Sequence, residues 1–253
     1  MKKTALLAVA LAACLGYAPA RAADVVSSNI VGYEKLNLTA EKFAMCATQF
    51  ELVGGGSGTL SDLFSATDIP YGTEIRFLNE RGAYDVYKYL EEAYDEDADD
   101  FVPGWADGFE NLVSTPVDVG TGYWVKAPEN YDLTQAGQVA NDATITLTLT
   151  PGMFQMISNP YPDGFNPNAV TWANLEYGTE IRVLNARGAY DVYKYLEEAY
   201  DEDADDFVPG WADGFENLVV ASIADIKQGF WIRSNASNPV TITFSNPTTK
   251  AGN

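Results

Sequence analysis

A run of 43 residues occurs twice in this chain of 253. Residues 71 to 113 read YGTEIRFLNERGAYDVYKYLEEAYDEDADDFVPGWADGFENLV, and residues 177 to 219 repeat them with Val183 in place of Phe77 and Ala186 in place of Glu80. The offset of 106 residues is about one domain long, which implies two tandem modules rather than a short-period solenoid. Weaker similarity extends outside the block. FAMCATQF at 43–50 aligns with FQMISNPY at 154–161, and GYWVK at 122–126 with GFWIR at 229–233. The same segments therefore recur in the same order, and the small, polar stretch from residue 138 to 143 is the expected boundary. This gives modules at 23–140 and 141–253. Such near-identity inside the block means that it was copied late or is held to one task.

Residues 1 to 22 have the parts of a secretory signal: Lys2 and Lys3, an apolar run from Ala5 to Leu15, and the small-residue site Ala20-Arg21-Ala22. Cleavage before Ala23 is expected. The alternative is a lipid anchor on Cys14, because Leu11-Ala12-Ala13-Cys14 has the form of a lipoprotein cleavage site. Both routes export the chain to the extracellular space or the cell surface, with the periplasm or a lipid-anchored outer-membrane position as alternatives. The apolar run is too short to span a bilayer, so no transmembrane segment is expected.

Removing the signal takes away three basic residues and leaves 12 against 36 acidic ones, a net charge of −24. A surface of that sign repels nucleic acid and anionic membranes, and favours cations, a basic partner or a glycan surface. Cys46 is then the single cysteine, so no internal disulfide can form, and stability has to come from apolar burial. Cys46 aligns with the apolar Ile157, which predicts a buried, unreactive thiol.

Local pattern favours strands. Residues 144 to 150 (TITLTLT) and 240 to 244 (VTITF) alternate strictly, as half-buried strands do. Within the block, residues 74–78 and 83–90 flank Asn79-Glu80-Arg81-Gly82, which reads as a hairpin. Residues 83 to 94 contain no Gly or Pro and could wind into a Tyr-lined helix, but their Tyr and Val content favours a strand. The expected fold is all-β: two homologous sandwich-like or barrel-like modules.

MISNPYP at 156–162, followed by QGFWIRS at 228–234, resembles secreted bacterial β-rich repeat modules, in which an Asn-Pro-Tyr-Pro strand and turn pairs with a late Gly-aromatic-Trp strand. SNIVGY at 28–33 is similar to the mature start of such proteins. The resemblance implies an exported all-β accessory module with no common catalytic activity, and the first module lacks its Asn-Pro-Tyr-Pro part.

The chain has no histidine, which removes the usual general base and the common zinc ligand. Asp-Gly occurs as WADG in each block without the hydroxyl residue of an aspartic-protease motif, so a hydrolase is the least favoured reading. A non-catalytic structural or adhesive protein leads, and a carbohydrate-binding module is the alternative. Two constellations carry the ligand expectations. Asp95, Asp97, Asp99 and Asp100, repeated as Asp201, Asp203, Asp205 and Asp206, offer alternating carboxylates to Ca²⁺, with a solvated acidic loop as the competing reading. The loop is no EF-hand, since Asp100 and Ala106 stand where Gly and Glu are required. Trp105 and Trp211 follow Pro-Gly and are expected to be exposed, as sugar-stacking rings, whereas Trp124, Trp231 and most of the block tyrosines are expected in the core.

Overall fold

The structure is a computed structural model that describes residues 31–64 and 68–247. The expected signal segment, Cys14 and the Ala23 cleavage site lie outside the described residues. Strands dominate. In chain order they are β1 (Val31–Leu38), β2 (Ala44–Ala47), β3 (Gly58–Thr59), β4 (Glu74–Leu78), β5 (Tyr84–Asp95), β6 (Asp100–Ala106), β7 (Pro116–Val117), β8 (Gly122–Lys126), β9 (Tyr131–Gln138), β10 (Thr144–Leu149), β11 (Phe154–Ile157), β12 (Thr171–Ala173), β13 (Glu180–Leu184), β14 (Tyr190–Asp201), β15 (Asp206–Ala212), β16 (Phe230–Arg233) and β17 (Val240–Ser245). A helical turn, α1 (Leu60–Leu63), follows β3. It is started by Thr59, whose Oγ1 accepts from Asp62 N while Asp62 Oδ2 accepts from Thr59 N, a reciprocal cap that satisfies two otherwise orphaned donors.

The sheets are antiparallel and none of them closes into a barrel. One five-stranded sheet runs β2-β8-β4-β5-β6 and a second runs β11-β16-β13-β14-β15, so the order repeats strand for strand. The stretch that could have been a helix is the 12-residue strand β5, in hairpin register with β4 from Leu78↔Tyr84 to Glu74↔Lys88. Asn79 makes that turn by accepting at Oδ1 from both Arg81 N and Ala83 N, the local competition that favours Asn in turns. Bulges occur at equivalent points, between Leu90 and Ala93 and between Leu196 and Ala199.

Each sheet buries one face in the core of its own unit. Ile75, Tyr123 and Val125 pack against Leu36, Leu38 and Leu133 of the β1–β9 ribbon and against Leu60, Leu63 and Phe64 of the α1 segment. In the second unit Ile181, Phe230 and Ile232 pack against Leu149, Val240, Ile242 and Phe244 of the β10-β17-β12 sheet. Alternation along β8 and β16 places Tyr123 and Val125, or Phe230 and Ile232, inside, as a two-residue period requires.

The expected boundary is packed rather than open. Val139 and Ala140 are buried and join the second core together with Phe50 of the first unit. Asn246 Nδ2 donates to the carbonyls of Ala140 and Asp142, and the Tyr161 hydroxyl donates to Asp142 O. The join is fixed by side-chain donors on its backbone carbonyls, which its small residues leave accessible.

Candidate functional site

The acidic segment is the end of a hairpin. β5 stops at Asp95 and β6 begins at Asp100, with the two residues paired across the ladder. Asp95 Oδ1 accepts from Asp97 N and Ala98 N at 3.0 and 3.3 Å. Asp99 adopts a left-handed backbone (φ 53°) and accepts from the Tyr94 hydroxyl at 2.8 Å, while Asp100 Oδ1 accepts from Phe101 N. Asp201, Asp205 and Asp206 repeat every one of these contacts with Asp203, Ala204, Tyr200 and Phe207. The bond to Asp99 raises the Tyr94 phenol above its ordinary pKa, and Asp205 does the same to Tyr200. The carboxylates thus order the turn. Among the described residues, no group of three or more His, Cys, Asp or Glu side chains stands where it could hold a metal ion.

The two tryptophans expected at the surface are the most deeply buried of their type. Trp105 and Trp211 are 0% and 1% exposed. Trp105 lies between Phe64 and Tyr89, and Trp211 between Trp172 and Tyr195. The Pro-Gly pair that precedes each is inside an edge strand, not a turn. The segment after the strand folds back over it: Val113 N donates to Trp105 O, and Leu112 N to Tyr94 O. Gly104 is where Leu112 crosses, since a Cβ there would lie 2.4 Å from Leu112 Cδ1. An exposed platform on Trp105 or Trp211 is therefore excluded by the packing.

The expectation for Trp124 and Trp231 is corrected too. Both are half-buried and lie on the faces opposite their cores. Trp124 Nε1 donates to the Tyr84 hydroxyl at 3.2 Å, and Trp231 Nε1 to that of Tyr190 at 3.3 Å. Their cross-strand neighbours Met45 and Met156 are buried, because these faces of the two sheets meet.

The meeting is reciprocal. A Cβ on Gly122 would lie 2.8 Å from Ile157 O, and one on Gly229 2.5 Å from Cys46 O and 3.3 Å from Gly122 Cα. Equivalent residues thus touch equivalent residues, as around a local two-fold axis. Only glycine permits that approach. Beside it, Lys227 of the second unit reaches Glu34 Oε1 at 3.3 Å and donates to Lys35 O at 3.0 Å. Neither Glu34 oxygen takes a well-directed hydrogen bond, so the pair is Coulombic. Burial raises the Glu34 pKa and Lys227 opposes the rise. Cys46 is buried as expected, its thiol pushed up to about 12 by burial first and then by the charge of Glu34.

Tyrosines such as Tyr33 and Tyr71 reach solvent, but among the most exposed aromatic rings of the repeated block are phenylalanines that sequence reasoning passed over. Phe109 and Phe215 are 86% and 87% exposed, and Phe101 and Phe207 60% and 59%. Phe101 packs its ring, tilted by 50°, on Tyr94 beside the acidic turn. Phe109 tips a tight turn that Asp107 holds by accepting from Phe109 N and Asn111 N, with Glu110 left-handed at φ 66°. Their signal in the sequence was an apolar residue set among acids, Asp-Phe and Gly-Phe-Glu, in both copies.

Comparison with protein-family models, curated proteins and solved structures gives no match. Among the described residues no helix is long and apolar enough to cross a membrane.

Proposed function

We propose that this chain is an exported, non-catalytic structural or adhesive protein that presents one acidic, phenylalanine-bearing hairpin end twice to a cationic partner surface. The observation that carries this reading is the pair of hairpins β5–β6 and β14–β15, alike in sequence, register, burial and hydrogen bonds. Phe101 or Phe207 within each hairpin, and Phe109 or Phe215 in the turn that follows it, are exposed among acidic residues. An exposed apolar ring costs solubility and contributes nothing to a core, so its duplication fits contact with a partner. Calcium, a hard cation that carboxylates ligate, would join the turn carboxylates only by drawing them together.

Absence of histidine and a thiol held protonated fit a protein without nucleophilic or general-base chemistry. The resemblance to secreted bacterial β-rich modules points the same way. Two measurements test the proposal. Protein from the native host should be found in the envelope or medium with Ala23 at its N-terminus, by intact mass; a full-length cytoplasmic chain would refute export. Binding to a surface coated with a basic, leucine-containing peptide should be salt-sensitive. It should fall more than tenfold when Phe109 and Phe215 are both changed to Ser, because two linked contacts are lost together. An unchanged affinity would reduce the hairpins to solubilising charge.

A further inference from the structure

We infer that a cavity beside the local two-fold axis binds one neutral pyranose ring. This site is independent of the hairpin ends, for Tyr84 opens β5 and the acidic turn closes it 11 residues later, about 35 Å along an extended strand. The cavity measures about 380 Å³, within the range of about 300–1,000 Å³ usual for small-ligand sites, which often lie between domains. Residues of both units line it, chiefly Tyr84, Tyr190, Trp231, Phe154, Arg182 and Met153.

The chemistry of these walls selects the ligand. Trp231 stands edge-on to Tyr84 (6.5 Å, 76°) and to Phe154 (6.2 Å, 84°), so ring faces meet at right angles and can take the C–H face of a saturated ring. Both phenols accept an indole N–H, which leaves each O–H to donate to a ligand oxygen. Arg182 is the one charged side chain among the lining residues, and it is already engaged by a carboxylate. Arg182 lies 4.6 Å over the Phe154 ring, and its Nε donates to Glu180, which Arg233 also approaches at 3.9 Å. A free anion meets no unpaired cation here and is repelled by a chain of net charge −21. A quaternary ammonium, which aromatic cages otherwise favour, meets the guanidinium. A neutral ring with one apolar face and peripheral hydroxyls satisfies every wall.

One feature distinguishes this from ordinary seam packing. Next to the cavity the seam is filled by buried Met45 and Met156, yet Tyr84 and Tyr190 remain 39% and 40% exposed. Met153 closes one end, with its Cε 3.7 Å from the Cβ position of Gly82. At the equivalent place in the other unit Lys42 replaces Met153 and is exposed, and no side chain comes within 4 Å of the Cβ position of Gly188. The repeat therefore builds the closed end on one side only.

The test is saturation-transfer NMR with glucose, galactose, mannose and N-acetylglucosamine, each free and as its β-methyl glycoside, with choline and acetate alongside. The expectation is saturable transfer from aromatic protons to sugar C–H protons for at least one sugar. Met153→Lys, which copies the residue of the other unit, should weaken it at least tenfold, and so should Tyr190→Phe, while Lys42→Met leaves it unchanged. Circular dichroism and melting of each variant check the fold. Acceptance of the methyl glycoside identifies the end of a glycan chain as the source, and its rejection a free sugar. No saturable transfer from any sugar, equal transfer in Met153→Lys, or choline or acetate in place of sugar would overturn the inference.

Discussion

Replacing Lys227 with Met should destabilise the fold at neutral pH and do so far less in acid. At 3.3 Å the attraction between Lys227 and Glu34 is about 5 kcal/mol gross for an effective dielectric constant of about 20. Lys227 is 45% exposed at its side chain whereas Glu34 is 6% exposed, so solvent screening on one side reduces the expected loss to about 2 kcal/mol. For a chain of this size that is about 4–8 °C in Tm. The pH dependence follows from the proton balance. Burial raises Glu34 in the folded state above its ordinary 4.5, against Lys227. Between the unfolded and the raised folded pKa the native state holds more protons, so stability falls as pH rises through that window. Without Lys227 the folded pKa climbs further and the window widens. The deficit of Lys227→Met relative to wild type should be larger at pH 8 and shrink on acidification towards pH 4.5, the lost bond to Lys35 O persisting at both. Urea denaturation followed by tryptophan fluorescence at pH 8 and pH 4.5 measures this. Adding Glu34→Gln should recover at least half of the loss at pH 8. A deficit that is equal at both pH values, or that Glu34→Gln deepens, would refute the reasoning.

Three further outcomes are expected. Gly122→Ala and Gly229→Ala drive a methyl against a carbonyl of the other unit and should each cost about 1–3 kcal/mol in urea denaturation, while Gly108→Ala, with nothing within 4 Å, should stay within about 0.5 kcal/mol of wild type. Cys46, with its thiol pushed up to about 12, should react with a disulfide reagent at pH 8 at least a hundredfold more slowly in the folded protein than in urea. Calcium at 5 mM should raise Tm more than sodium at matched ionic strength, and Asp97→Asn with Asp203→Asn should remove the difference; equal shifts from both salts would reduce the effect to screening.

The strands were legible where a two-residue period or a turn residue announced them: TITLTL became β10, and Asn79 to Gly82 the β4–β5 turn. The tryptophans show where local reading ends. Tyr123 and Val125 flank Trp124 in a strand, so if those two face the core Trp124 cannot; Lys126, on the same side as Trp124, carried that signal. Trp105 offered no comparable clue. Its cover is the segment from Glu110 to Val113 folding back on β6, a contact that Pro-Gly spacing does not encode. The tyrosines expected in the core divide similarly: Tyr89 packs on Trp105, whereas Tyr84 and Tyr190 face the other unit. The acidic run was visible as charge, but its Asp side chains bond to their own turn, a backbone geometry that alternating carboxylates do not specify.

The paired glycines at the two-fold axis have a consequence for how such a molecule can change. In an assembly of two separate identical chains, every substitution appears on both sides of the axis, so a residue that suits one side must be tolerated on the other. Here both halves lie on one polypeptide, and Gly122 and Gly229 hold them in mutual register while Lys42 and Met153 differ. Joining the halves keeps the symmetric frame and lets its two rims diverge independently, so one rim can specialise while its twin stays open.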